Sequence, residues 1–300
     1  MSKKFWLNVL GLMLFFMSAV LAGDIHPVAA ESNLKLDFGE ITPFDVTIVE
    51  RTLPVAVVKE KINKIIVEFD PALSDPSGLT IPMRRLKMAV NDQLYALKDY
   101  ASPIDLTAVS PDSGLYHFMF SLELTPADLP GLYEGKVLIK YQTGAVWNSI
   151  NACLSVEIEP WVRIEANQKQ INLDQISADN TKLQNAIPFN IKVASNSSWI
   201  LYMEKVQSEE TGREIPLAVK VIPRKMESHS AQGIQNLALS ETILSKEKMA
   251  LGAGNATVIN GLYWAEIDLA LFLRDFINCP AGNQILLLQF TVGLWDNRRN

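Results

Sequence analysis

Two cysteines, Cys153 and Cys279, are all that 300 residues hold, one in each half of the chain. So few exclude the disulfide framework that stabilises many small secreted domains. Whether these two form a bridge or are simply small apolar side chains is open at this level, because pairing depends on geometry. Histidine is equally scarce, with three residues: His26 near the N-terminus, then His117 and His229. One histidine per half cannot build a metal site without carboxylate help, and His117 reads as an ordinary strand residue. No HExxH, GxSxG or CxxC motif occurs, so nothing points to a nucleophile with its base or to a zinc-bound water. No catalytic residue, cofactor or metal site is expected. Asp70, Asp75 and Asp112 fall in expected loops, without the spacing of a calcium-binding loop.

Concentrated positive charge is missing as well. Arg84, Arg85 and Lys87 form the only tight basic group, which reads as a solvated strand face and argues against nucleic acid as a partner. A second long apolar run is also absent. The single one, Phe5 to Gly23, carries no charge and follows Lys3 and Lys4. That pattern predicts a secretory signal over residues 1–30, cleaved after Ala22 or, preferentially, after Ala30; an uncleaved anchor is the alternative and the sole membrane association expected. The exported chain would hold 25 basic against 32 acidic residues, a net charge of −7.

What the chain does contain is an internal repeat. Leu34-Lys-Leu-Asp-Phe38 aligns with Ile171-Asn-Leu-Asp-Gln175, and Ser77-Gly-Leu-Thr-Ile-Pro-Met83 with Thr211-Gly-Arg-Glu-Ile-Pro-Leu217. Gly114 to Leu124 aligns with Gly261 to Leu271, and Thr143 to Asn148 with Thr291 to Asp296. The offset rises from 134 to 147 between the second and third matches, which places about 13 inserted residues between Val221 and Gly261. Within them, Leu239, Ile243 and Leu244 have helical spacing and predict a short helix inside 237–251. Gly252 to Thr257 lacks the last glycine of a dinucleotide loop and reads as a turn.

Elsewhere the periodicity is two. Val137, Ile139 and Tyr141 alternate with Lys136 and Lys140 after a Pro130-Gly131 turn signal. Leu154 to Ile158, Phe189 to Val193 and Ile285 to Val292 are further strand-like runs. Trp199 and Trp264 lie in apolar runs and are expected inside. Trp147 and Trp295 recur at matched positions, which favours a structural role over a ligand platform. The expected fold is all-β: two tandem, homologous immunoglobulin-like β-sandwiches, 31–159 and 160–300, joined near Glu159-Pro160.

Pro130-Gly-Leu-Tyr133-Glu-Gly135-Lys-Val-Leu-Ile139, together with Ala194-Ser-Asn-Ser-Ser-Trp199, resembles the strand pairs of bacterial extracellular immunoglobulin-like domains found in adhesins and pilus subunits. The second half departs from the first pattern, with Pro280-Ala-Gly282 at the turn and no following tyrosine. The resemblance implies fold more than function.

One asymmetry bears on function. After Trp147 the first half continues into Ala152-Cys-Leu-Ser-Val-Glu-Ile158, whereas the aligned second half has only Asp296 to Asn300 after Trp295. The last strand of the second sandwich is therefore expected to be missing, with Ile285, Leu287, Gln289 and Thr291 forming the strand edge where another segment pairs. A truncated end or a different closure would be the plainer explanation. The leading expectation is a non-enzymatic component of a bacterial surface or secreted assembly, with a protein partner or self-association. An adhesin or glycan-binding module is the alternative, which exposed Trp161 or Tyr263 would favour, and a pilus-type chaperone is third.

Overall fold

The computed structural model describes residues 33–58, 62–91, 93–98, 103–109, 115–167, 187–206, 217–222, 235–244, 247–258, 264–273 and 287–294. The signal-like residues 1–30, Cys279, Ile285, Tyr263, Trp295, Asp112 and His229 lie outside them. Among the described residues the protein is all-β, with one 3-10 turn at Met83–Arg85 and no α-helix.

Residues before 159 build two sheets. The larger runs in the order β1 (Asn33–Ile41), β11 (Val146–Ile158), β10 (Gly131–Thr143), β3 (Lys64–Phe69) and β8 (Ile104–Asp105). The short strands β4 (Ala72–Ser74) and β5 (Thr80–Pro82) attach to it through β10. The other sheet runs β2 (Thr47–Val58), β9 (Leu115–Leu124), β6 (Leu86–Val90) and β7 (Gln93–Ala96). Later residues form a five-stranded sheet, β12 (Val162–Ala166), β13 (Ile187–Ser195), β19 (Ala265–Leu273), β15 (Leu217–Ile222) and β17 (Thr242–Ile243). A four-stranded sheet, β16 (Gln235–Asn236), β18 (Met249–Gly254), β14 (Trp199–Val206) and β20 (Leu287–Leu294), completes the set.

Alternation explains why these segments are strands. On β9 every second residue, Tyr116, Phe118, Phe120, Leu122 and Leu124, is buried. The partner rows are Tyr133, Val137 and Ile139 on β10 and Ile150, Ala152, Leu154, Val156 and Ile158 on β11. Together they form one hydrophobic cluster between residues 36 and 158, and a second forms between 189 and 271. Each fully buried large side chain contributes about 1.5–3 kcal/mol. The expected alternation after Gly135 is thus present, and the strand begins earlier, at Gly131.

Local chemistry sets the ends. Thr143 faces Val146 across a two-residue turn, Gly144-Ala145, with φ +61° at Gly144. Positive φ at the first turn residue alone is the type II′ pattern, whose twist suits a hairpin. At the start of β10 the Tyr133 hydroxyl donates to the Leu129 carbonyl at 2.8 Å, the tyrosine corner typical of immunoglobulin-like sandwiches. Burial, with Asp75 and Asp128 nearby, pushes this phenol up to about 12. In β2 the register shifts between Thr52 and Ala56, the stretch that contains Pro54, which has no N–H for the ladder.

Two expectations are corrected. No helix occurs in the described part of 237–251: Leu239 and Ile243 are exposed, only Leu244 is buried, and the backbone pairs as strands. Leu237 N–H donates to the Leu251 carbonyl and Val221 N–H to the Ala238 carbonyl. Cross-strand bonding has overridden a helical spacing. Nor is Gly252 to Gly254 a turn, because it ends strand β18. A Cβ on Gly252 would lie 2.7 Å from Ile267 Cδ1, and one on Gly254 2.8 Å from the Trp199 ring. These glycines serve close packing.

Candidate strand-binding edge

β20 pairs antiparallel with β14 from Trp199 opposite Leu294 to Val206 opposite Leu287. Its other side has no paired strand among the described residues. β10, its match in the sequence repeat, also pairs antiparallel with an upstream strand, β3, but carries β11 on its far side over thirteen residue pairs.

The difference shows in burial. Trp199, Leu201 and Met203 on β14 are sealed, whereas the inward row of β20, Leu288, Phe290 and Val292, is only half-buried. Phe290 stacks on Phe189 of the facing sheet, ring centroids 5.3 Å apart. Leu287 and Leu294, at the strand's two ends, are 57% and 44% exposed. The expected edge residues Leu287, Gln289 and Thr291 are all on β20, but their odd numbers put them on its outer face. Leu288, Phe290 and Val292, which the sequence reading did not single out, form the row that an added strand would cover. β12, the edge strand of the facing sheet, comes within 8 Å of β20 between Cα atoms without pairing with it.

A buried junction ties residues before 159 to those after it. Asn196, fully buried, accepts from Trp161 N–H at 2.7 Å and donates to the carbonyls of Asp128 at 3.0 Å and Glu159 at 3.2 Å. Ser195 Oγ donates to the Trp161 carbonyl, and Thr42 Oγ1 to Glu159 Oε2. Asp128 is held in turn by Arg85. Phe44 meets Trp161 edge-on and lies under the Arg163 guanidinium, 4.8 Å from its centroid. Trp161 is 2% exposed, so it is no surface platform.

The remaining candidates have ordinary surroundings. His117 is exposed on β9, its N–H donating to Asn91 Oδ1. Asp70 accepts from Lys136 N–H, and Asp75 from Ser77 Oγ and Leu79 N–H. These bonds hold the Asp75 carboxyl below its usual range, with Ser77 the largest cause. Cys153 is half-buried on β11, opposite Lys35 and Lys136, and burial raises its thiol. Trp199 is sealed, as expected, whereas Trp264, expected inside with it, is only half-buried and packs on the separate cluster of Trp161, Ala194 and Val258. Trp147 is the exception: at 49% exposed it is a surface residue. Its odd number puts it on the outer face of β11, away from the buried row of Ile150, Ala152 and Leu154.

No protein-family model and no curated protein matches the chain. Among solved structures it is similar to a chaperone–tip subunit pre-assembly complex of the archaic chaperone-usher Csu pili of Acinetobacter baumannii, at 9% identity and TM-score 0.43, covering 88% of this chain and 99% of that one. It is also similar to the CupB6 tip adhesin of Pseudomonas aeruginosa, at 9% identity and TM-score 0.32, covering 88% and 91%. A mutant of the CFA/I adhesin CfaE of enterotoxigenic E. coli follows at 8% identity and TM-score 0.31, covering 90% and 94%. All three TM-scores lie below 0.5.

Proposed function

We propose that the protein is a non-enzymatic component of a bacterial surface or secreted assembly, and that its second sandwich accepts a β-strand from another polypeptide along β20. The two sandwiches are read as tandem domains, 31–159 and 160–300, after removal of a signal over residues 1–30. One observation carries the reading: among the described residues β20 is paired on one side only, while its repeat counterpart β10 has β11 on the corresponding side. An unpaired edge beside a half-covered apolar row gives an incoming strand both main-chain hydrogen bonds and pockets for alternate side chains. The first half supplies the template, since Ala152, Leu154, Val156 and Ile158 of β11 are buried while Glu157 faces solvent.

The test is the solution mass of residues 31–300 over a concentration series, with and without a peptide copying Ala152 to Glu159. Oligomers that form with concentration and are suppressed by the peptide support strand acceptance. A monomer indifferent to the peptide over the whole series overturns it.

A further inference from the structure

We propose that the outer face of strands β3, β10 and β11 binds a neutral carbohydrate, with Trp147 as the stacking platform. Trp147 is half exposed, yet it stands on a hairpin whose position is pinned. Asn63 N–H donates to the Gln142 carbonyl at 2.9 Å, and Asn63 Nδ2 donates to the Gly144 carbonyl at 3.0 Å. A platform on a pinned backbone leaves less main-chain freedom to be lost when a ligand lands on it.

Register determines what surrounds it. Trp147 is directly opposite Gln142, and Gln142 is opposite Lys64, so these three form a row across the sheet. The next row is Ser149, Lys140 and Ile66, and the one after it Asn151, Leu138 and Glu68. Lys140 Nζ reaches Glu68 Oε1 at 2.8 Å, and Lys64 lies close enough to Asp105 to help hold that carboxyl below its usual range, after the bonds from Thr107. Rows on one face are about 6.6 Å apart and strands about 4.8 Å apart. The indole is therefore bordered at close quarters by an amide, a hydroxyl and an ammonium.

A pyranose has the complementary chemistry. One face of the ring presents C–H groups, which pack on an aromatic plane, and its rim presents hydroxyls, which both donate and accept. The C–H face covers Trp147 while Gln142, Ser149 and Lys140 meet the hydroxyls. An apolar partner fits less well: Val146, also exposed, is on the opposite side of the ribbon by strand alternation, and Ile66 and Leu138 are half-buried. One exposed aromatic among polar groups is not a contiguous apolar patch. The carboxylates beside both lysines, Glu68 at Lys140 and Asp105 near Lys64, favour a neutral sugar over an acidic one. The site shares no residue with β20, so its failure would leave strand acceptance standing.

The experiment is saturation-transfer NMR on residues 31–300 with lactose, N-acetyllactosamine, cellobiose, chitobiose and mannobiose. Transfer to ring C–H protons of at least one sugar is expected, weakened about tenfold or more by Trp147→Ala, partly kept by Trp147→Phe and unchanged by Val146→Ala. Circular dichroism and thermal unfolding establish that the variants fold. No transfer from any of the five sugars, or binding that survives Trp147→Ala, overturns the proposal. So does Trp147-dependent retention on a phenyl-coated surface without sugar binding, which would make the face an apolar contact.

Discussion

The Asn196 side chain donates to the backbone carbonyl of Asp128, 68 residues earlier in the chain, at 3.0 Å. The same side chain is bonded to Trp161 and Glu159, so one buried amide ties together the turn before β10, the segment between β11 and β12, and the end of β13. Buried polar groups of this kind cost most when a partner is removed, because the groups left behind have lost water as well.

Asn196→Ala is therefore expected to destabilise the protein by about 3 kcal/mol, through the orphaned Trp161 N–H and two carbonyls. Urea unfolding followed by fluorescence measures this, and a loss below about 0.5 kcal/mol would mean the junction is not stabilising. If the junction couples the two hydrophobic clusters, the variant will also split one unfolding transition into two.

Tyr133 gives a pH-dependent expectation. Its folded phenol titrates near 12, above its ordinary value of 10.0. The folded state therefore holds this proton at pH values where the unfolded chain has lost it. The stabilisation is complete below about pH 10 and disappears as pH rises toward 12. Melting temperature should fall across that window, and less steeply in Tyr133→Phe. At neutral pH the same variant should lose about 1 kcal/mol with its bond to Leu129. An alkaline slope unchanged by the substitution would contradict the assignment.

Packing at the second cluster is tested by Gly254→Ala. The new Cβ would meet the Trp199 ring at 2.8 Å, and that ring is sealed with its Nε1 donating to the Asn255 carbonyl. A loss of about 1–3 kcal/mol is expected, together with altered tryptophan emission. Retention of full stability would show that the ring has room to shift.

Phe290 links β20 to the facing sheet. Phe290→Ala removes its stack on Phe189 and part of the row an incoming strand would cover. Stability should fall by about 2 kcal/mol, less than for a sealed phenylalanine because Phe290 is only half-buried. Phe290→Leu should recover most of this. Affinity for the Ala152 to Glu159 peptide should fall in Phe290→Ala more than in Gln289→Ala, whose side chain is on the outer face. Equal losses would place the bound strand elsewhere.

The residues alone determined the all-β class and the strands whose alternation is unbroken, β10 and the second half of β11 above all. A period of two is a local property, visible wherever one face of a strand meets a core. Histidine and cysteine scarcity was legible in the same way. The candidate edge was half legible: the position of β20 could be read from the repeat, but which of its two faces borders the gap depended on register with β14. The apparent helix near Leu239 failed because spacing within a segment does not reveal what the segment can pair with. The places of Trp147 and Trp161 were illegible for the same reason. Trp147 recurs in the repeat but register puts it on the outer face of its sheet, whereas Trp161, next to a proline, is enclosed by Asn196, Ser195 and Phe44 from distant parts of the chain. Such contacts are set by how the sheets pack, and that only the tertiary structure decided.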